Sequence, residues 1–289
     1  MAIVPVGPQE GPPRALLRLS VTGAARLRSE GAVVAELRRT AAAQDLDRIL
    51  PVRWSEGWHG GWWWCLDSWL EGVDAATALA VDPRLRAPVL RSGAAAAAML
   101  HRATAVPIQV GDAELHDWVD QHVELLQSVR LPVPRAADRL AALQVRLRRG
   151  LAGREVRVGW AHGDLWRGNL RVDPATGAVT GLIDWDCAAP RQLPAHDLLH
   201  LVLYGLAVDR GVDLGTVIVE VLRTHRWPSE VEAAIAPQRA AWGDVEDEDL
   251  LLLYWLRHVG LIAAQQRDYM DHSRLVWRWR NIAQVLLAL

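Results

Sequence analysis

The chain has 289 residues, 32 Arg with no Lys, 34 acidic residues and a formal net charge of −2. That balance excludes a strongly basic surface of the kind nucleic acid or an anionic membrane requires, and no apolar run reaches the roughly 20 residues of a spanning helix. The length is enough to bury a large core, as one bilobal unit or two modest domains.

Residues 1–13 contain Pro5, Gly7, Pro8, Gly11, Pro12 and Pro13 and are expected to form no regular element, only an extended lead-in. They lack the charged start and apolar centre of a signal peptide, which makes the cytoplasm the expected location. Arg14–Val21 reads as a strand ended by Thr22-Gly23. Ala24–Ala43 then reads as a helix with Leu27, Val34, Leu37 and Ala41 near one face and Glu30 and Glu36 among its polar positions. Pro51–Trp54 and Trp62–Leu70 predict a strand pair around a loop from Ser55 to Gly61. The run Trp62-Trp63-Trp64 alternates in that strand, which favours packing over base stacking. From Asp74 onward the period is helical, with helices predicted at Pro88–Arg102, Leu115–Val129 and Arg135–Leu151. Cys65 and Cys187 are the only cysteines, and their separation fits neither a zinc knuckle nor a disulfide framework.

A short apolar stretch, Val156–Trp160, leads into His162-Gly163-Asp164-Leu165-Trp166-Arg167-Gly168-Asn169. His-x-Asp-x-x-x-x-Asn is the spacing of a kinase catalytic loop, where the Asp accepts the proton of an attacking hydroxyl and the Asn holds magnesium. Leu170–Val172 and Ala178–Ile183 predict two strands joined by Asp173-Pro174-Ala175-Thr176-Gly177, so that Asp184 is returned to the neighbourhood of Asn169. A triphosphate with magnesium, a hard ion, needs oxygen ligands of this kind. Further on, Asp244, Glu246, Asp247, Glu248 and Asp249 precede the apolar run Leu250–Leu256. Acids in a first helical turn favourably meet the helix dipole. His196 and His200 lie four apart without the intervening Glu of a metallohydrolase, and Trp277–Leu289 reads as a terminal packing helix.

His-Gly-Asp-Leu-Trp-x-Gly-Asn followed by Leu-Ile-Asp-Trp-Asp resembles the aminoglycoside phosphotransferase and choline kinase family of small-molecule kinases, relatives of the protein kinases. The resemblance implies an α+β, protein-kinase-like bilobal fold, with a truncated β-rich lobe at residues 1–70 and a large, mostly helical lobe at 71–289. It implies ATP or GTP as co-substrate, Mg2+, and a small hydroxyl-bearing acceptor, cationic ones included. His162 and Asp164 take the catalytic positions, Asn169 and Asp184 those of metal ligands, and Asp186 and Asp197 those of supporting acids. Arg18 and Glu30 fall where the family has a Lys–Glu pair, and Ser68 and Trp69 where a connecting segment meets the adenine. Some of the acids at 244–249 take positions where relatives face a cationic acceptor. The chain departs from the family in having no Lys and no Gly-rich hairpin ahead of Arg18, since 13 residues are too few for that hairpin plus a strand. The alternative expectation is therefore a catalytically inactive binding or partner module, or a fragment of a longer protein.

Overall fold

The structure is a computed structural model that describes residues 1–8, 10–40, 46–265 and 274–289. The chain divides into two compact units, Met1–Ala105 with Val158–Asp197, and Val106–Arg157 with Leu198–Leu289.

The first unit begins with a strand, which corrects the reading of residues 1–13. β1 (Ala2–Val6) pairs antiparallel with β2 (Ala15–Ser20), from Ala2 opposite Leu19 to Val6 opposite Ala15. Pro5 is tolerated because β1 is an edge strand, where a residue without an N–H need not interrupt a ladder on both sides. The breakers Gly7, Pro8, Gly11, Pro12 and Pro13 instead fall in the connection to β2. Helix α1 (Ala24–Arg39) follows, with Leu27, Glu30, Val34 and Leu37 buried at the spacing of one helical face. The part of the predicted helix at Ala41–Ala43 lies outside the described residues.

β3 (Arg53–His59) and β4 (Trp62–Ser68) complete a four-stranded antiparallel sheet in the order β1-β2-β4-β3. Residues 55–59, expected in a loop, are strand. Gly60 and Gly61, with φ of 55° and 82°, make the whole turn by themselves, as a two-residue hairpin with positive φ at both positions does. Along β4, Trp63, Cys65 and Asp67 alternate onto the buried face, and Trp63 and Cys65 pack with Ala24 and Leu27 of α1. β5 (Val73–Asp74) pairs with the strand Leu170–Val172, which pairs in turn with Val179–Leu182. Asp74 caps α2 (Ala75–Val81) by accepting from the Thr77 amide at 2.7 Å. Ser92 of α3 (Arg86–Thr104) donates to the Gly177 carbonyl at 2.7 Å, which fixes the turn of the 170–182 hairpin.

The second unit is mainly helical, with long helices at Ala136–Leu151, Leu214–Thr224 and Asp247–Gln265. Its acidic run is engaged by arginines of the same unit: Asp244 by Arg154 at 2.9 Å, Asp247 by Arg239 at 2.6 Å, and Glu248 and Asp249 by Arg146 at 2.7 and 3.0 Å. No described helix is long and apolar enough to cross a membrane. His122 is buried, and that burial together with the Arg257 charge pulls its pKa down to about 4, so the ring is neutral at pH 7. Gly260 lies against this ring so closely that a Cβ there would meet Nδ1 at 2.4 Å. Gly260→Ala is therefore expected to destabilise the chain by about 1–3 kcal/mol through overpacking, read as a lower urea midpoint with unchanged m-value.

Candidate active site

The loop from His162 is held from beneath by one carboxylate. Asp197, fully buried, accepts from the His162 amide at 2.8 Å, from the Gly163 amide at 2.9 Å and from the His101 ring at 3.2 Å. Burial alone would push this carboxyl up, but the His101 hydrogen bond and charge, His162 and the Gly163 amide outweigh it and hold the group well below the usual carboxylate range. His162 is itself fully buried; its Nε2 donates to the Ile183 carbonyl at 2.9 Å and its ring lies 4.6 Å from that of Trp185. The buried Trp185 indole donates in turn to the Leu182 carbonyl at 3.0 Å. His162 therefore touches the structural side of the loop, with no surface through which to reach a substrate.

On the other side of the loop, Asn169 donates through Nδ2 to the Asp164 carbonyl at 2.8 Å and to its carboxylate at 3.0 Å. This leaves the amide oxygen of Asn169 as its acceptor, the atom a cation would use. The Asn169 carbonyl accepts from Ile183 N at 3.1 Å, tying the loop to the end of the hairpin. Asp184 follows in a left-handed conformation, φ 66° and ψ 61°, unusual for a residue with a side chain. The turn places two carboxylates close together. Asp186 is pushed up to about 6 by burial and by the neighbouring Asp184, with Arg26 opposing. Arg26 of α1 bonds both, Nη2 to Asp184 at 3.1 Å and Nε to Asp186 at 2.7 Å.

Among the described residues no group of three or more His, Cys, Asp or Glu side chains forms a metal cage. Two carboxylates with one amide oxygen nevertheless fit Mg2+, which usually takes one or two protein carboxylates and completes its shell with phosphates and water.

Arg18 and Glu30 form the expected pair, Nη1 to Oε2 at 2.6 Å. The structure adds Asp67, which the sequence reading did not single out: it accepts from Arg18 Nη2 at 2.6 Å and Nε at 3.0 Å, and from Arg53 Nε at 2.5 Å. Burial would lower the Arg18 pKa, but Glu30 and Asp67 outweigh it and raise it further, so the guanidinium stays charged. The signal for Asp67 is the period of β4, since Cys65 stands opposite Arg18 in the register and Asp67 is the next residue on that face. Arg26 had a signal too: it precedes Glu30 by four residues and so shares its helix face.

These groups meet in one cleft of about 440 Å³, lined by Arg18, Glu30, Ser68, Trp69, Asn169 and Asp184 among polar and mixed residues, and by the apolar Ile3, Leu16, Leu70 and Ile183. Both amides of the connecting segment are engaged within the protein, Ser68 N with the Val52 carbonyl at 2.7 Å and Trp69 N with the Arg14 carbonyl at 2.9 Å.

The loop from His162, the acid-bearing hairpin after it and the ion pair between β2 and α1 belong to a protein-kinase-like fold. The model of the phosphotransferase enzyme family matches residues 6–247, and the chain belongs to that family. Among solved structures it is similar to aminoglycoside phosphotransferase APH(3'')-Id from Streptomyces rimosus in complex with ADP and streptomycin, at 19% identity and TM-score 0.53 over 86% of this chain and 87% of that one. It is also similar to an aminoglycoside-3'-phosphotransferase of type VIII, at 20% identity and TM-score 0.53 over 89% and 93% of the two chains. A choline/ethanolamine kinase family protein from Mesorhizobium loti matches at 16% identity and TM-score 0.50 over 95% and 86%. These likenesses show the α+β, protein-kinase-like fold. No curated protein sequence matches the chain.

Asp197→Asn should reduce stability at pH 7 by about 2–3 kcal/mol, because charge-assisted bonds to two amides become neutral ones. Since the folded pKa is depressed, the contribution of Asp197 is full above the unfolded value of about 3.9 and is lost as pH falls below it. Urea titrations should therefore show the gap between variant and wild type narrowing below about pH 4.

Proposed function

We propose that the protein transfers the γ-phosphate of ATP, or GTP, to a hydroxyl of a small molecule such as an amino sugar or amino alcohol. The observation that carries this reading is the convergence of Arg18, Glu30, Ser68, Trp69, Asn169 and Asp184 on one cleft, with Asp164 hydrogen-bonded to Asn169. In this reading residues 1–70 are the smaller, strand-rich lobe and residues 71–289 the larger helical one, and the need for a nucleoside triphosphate suits a cytoplasmic setting. The apolar side chains of Ile3, Leu16, Leu70 and Ile183 suit a purine ring.

Asp184 and the amide oxygen of Asn169 would hold Mg2+, with Asp186 beside them. When bound, the ion neutralises phosphate charge and so favours the charge distribution of the transferring phosphoryl group. Asp164 orients the acceptor hydroxyl and takes its proton as the new O–P bond forms and the bond to the leaving diphosphate breaks. Asn169 fixes the Asp164 carboxylate through Nδ2, while His162 and Asp197 hold the loop from its buried side and touch no reactant. Arg18 and Glu30 set the position of α1 against the sheet. The ADP and streptomycin in one neighbour, and the choline/ethanolamine class of another, support a nucleotide and a small, cationic hydroxyl compound as the ligands.

Asp164→Asn is expected to lower turnover on the order of 10²- to 10⁴-fold with ATP affinity largely retained, since it removes the base and touches no phosphate. Asp184→Ala should instead abolish the effect of Mg2+ on ATP affinity in calorimetric titration. Equal turnover in the first variant, on an acceptor found by screening amino sugars and amino alcohols, would remove Asp164 from the mechanism. Equal metal enhancement in the second would remove Asp184 from it.

A further inference from the structure

The cationic groups of the cleft differ in what they have left to offer a phosphate. Arg18 occupies the place where relatives put a Lys, yet Nε, Nη1 and Nη2 are all engaged by Glu30 and Asp67, and its side chain is only 12% exposed. Three of its five N–H donors are thus taken and the group is nearly closed to solvent, so it anchors α1 to the sheet and is held in place by two carboxylates. Arg171 lies over the Trp69 ring at 5.4 Å and donates to the Gly72 carbonyl. Arg26 is different. Its side chain is 58% exposed, it lines the cleft, and its two bonds go to Asp184, on which the proposed reading puts the metal, and to the neighbouring Asp186.

Resting on that reading, we propose that Arg26 is a phosphate-binding residue that exchanges partners: without nucleotide its guanidinium neutralises Asp184 and Asp186, and when Mg2+ with a triphosphate takes Asp184 it turns to the phosphate oxygens. Three features carry the inference. A divalent cation and a guanidinium compete for the same carboxylate oxygens, and the ion wins where phosphates complete its shell. Once the ion is in place its charge repels the guanidinium, while the net negative charge of the metal–triphosphate complex attracts it a few ångströms away. The long, solvated Arg side chain can make that move without disturbing the core, and its planar fork suits two phosphate oxygens. Arg26 thus supplies the mobile positive charge that Arg18, locked by two carboxylates, does not.

The test uses the full chain and needs no turnover. Wild type, Arg26→Ala and Arg26→Lys are titrated with Mg2+·ATP and with adenosine by calorimetry, and with Mn2+ alone by electron paramagnetic resonance. Arg26→Ala is expected to weaken Mg2+·ATP on the order of tenfold or more, leave adenosine unchanged, and tighten Mn2+ several-fold because the competing cation is gone. Arg26→Lys should recover part of both effects. A merely structural Arg26 would lower affinity for ATP and adenosine together and would not tighten Mn2+, and that pattern, or no change at all, overturns the proposal. Wild type that binds ATP with no dependence on metal would instead reject the functional reading on which it rests.

Discussion

The Asp197 carboxylate is the interaction on which the rest of the site depends. A fully buried negative charge is tolerable only when it is paired and hydrogen-bonded, and here two consecutive backbone amides and a His ring meet that need. The consequence runs outward. Fixing the amides of His162 and Gly163 sets the start of the loop, His162 carries that position to the Ile183 carbonyl, and Ile183 returns it through its own amide to Asn169. The acid that takes part in the proposed chemistry is bonded to Asn169 within this chain of contacts, and the acid proposed to hold metal directly follows Ile183. Trp185, the residue after the left-handed Asp184, is buried against His162.

Two sets of arginines and carboxylates then divide the work by burial. Arg18, Arg53, Glu30 and Asp67 are nearly closed to solvent, where truncating one partner would leave an uncompensated charge. Such a group holds the helix and sheet in register. Arg26, Asp184 and Asp186 are more open, where screening weakens each pair and exchange of partners is cheap. The same residue types thus give a fixed scaffold on one side of the cleft and a responsive one on the other. A chain with Arg and no Lys can meet both needs, because burial rather than residue type sets how firmly each guanidinium is held.

How much of this was legible in the sequence follows from the range of the interactions. His162, Asp164, Asn169 and Asp184 lie within 23 residues joined by a tight hairpin, so their proximity could be read from local spacing. The Arg18–Glu30 pair was legible through family resemblance and is present. β1 was not, because Pro5 and the Gly/Pro residues after it are local breakers, and only pairing with β2 makes Ala2–Val6 a strand. The β3–β4 turn was placed too wide because Ser55–His59 carries exposed polar residues and weak alternation, whereas the glycines at 60 and 61 close it tightly. Asp67 needed the cross-strand register, and Arg26 needed a contact 158 residues away. The acids near residue 247, legible as a helix start, turn out to be satisfied by arginines of the same unit, and that long-range pairing left no mark in the local pattern.

The most direct test of the central claim is a crystal structure of the full chain with Mg2+ and a non-hydrolysable ATP analogue. The account predicts the purine ring in the cleft between Leu16 and Ile183, the metal bonded to Asp184 and to the amide oxygen of Asn169, and the terminal phosphate facing Asp164. Nucleotide bound elsewhere, or seated in the cleft with the metal away from Asp184 and Asn169, would contradict it.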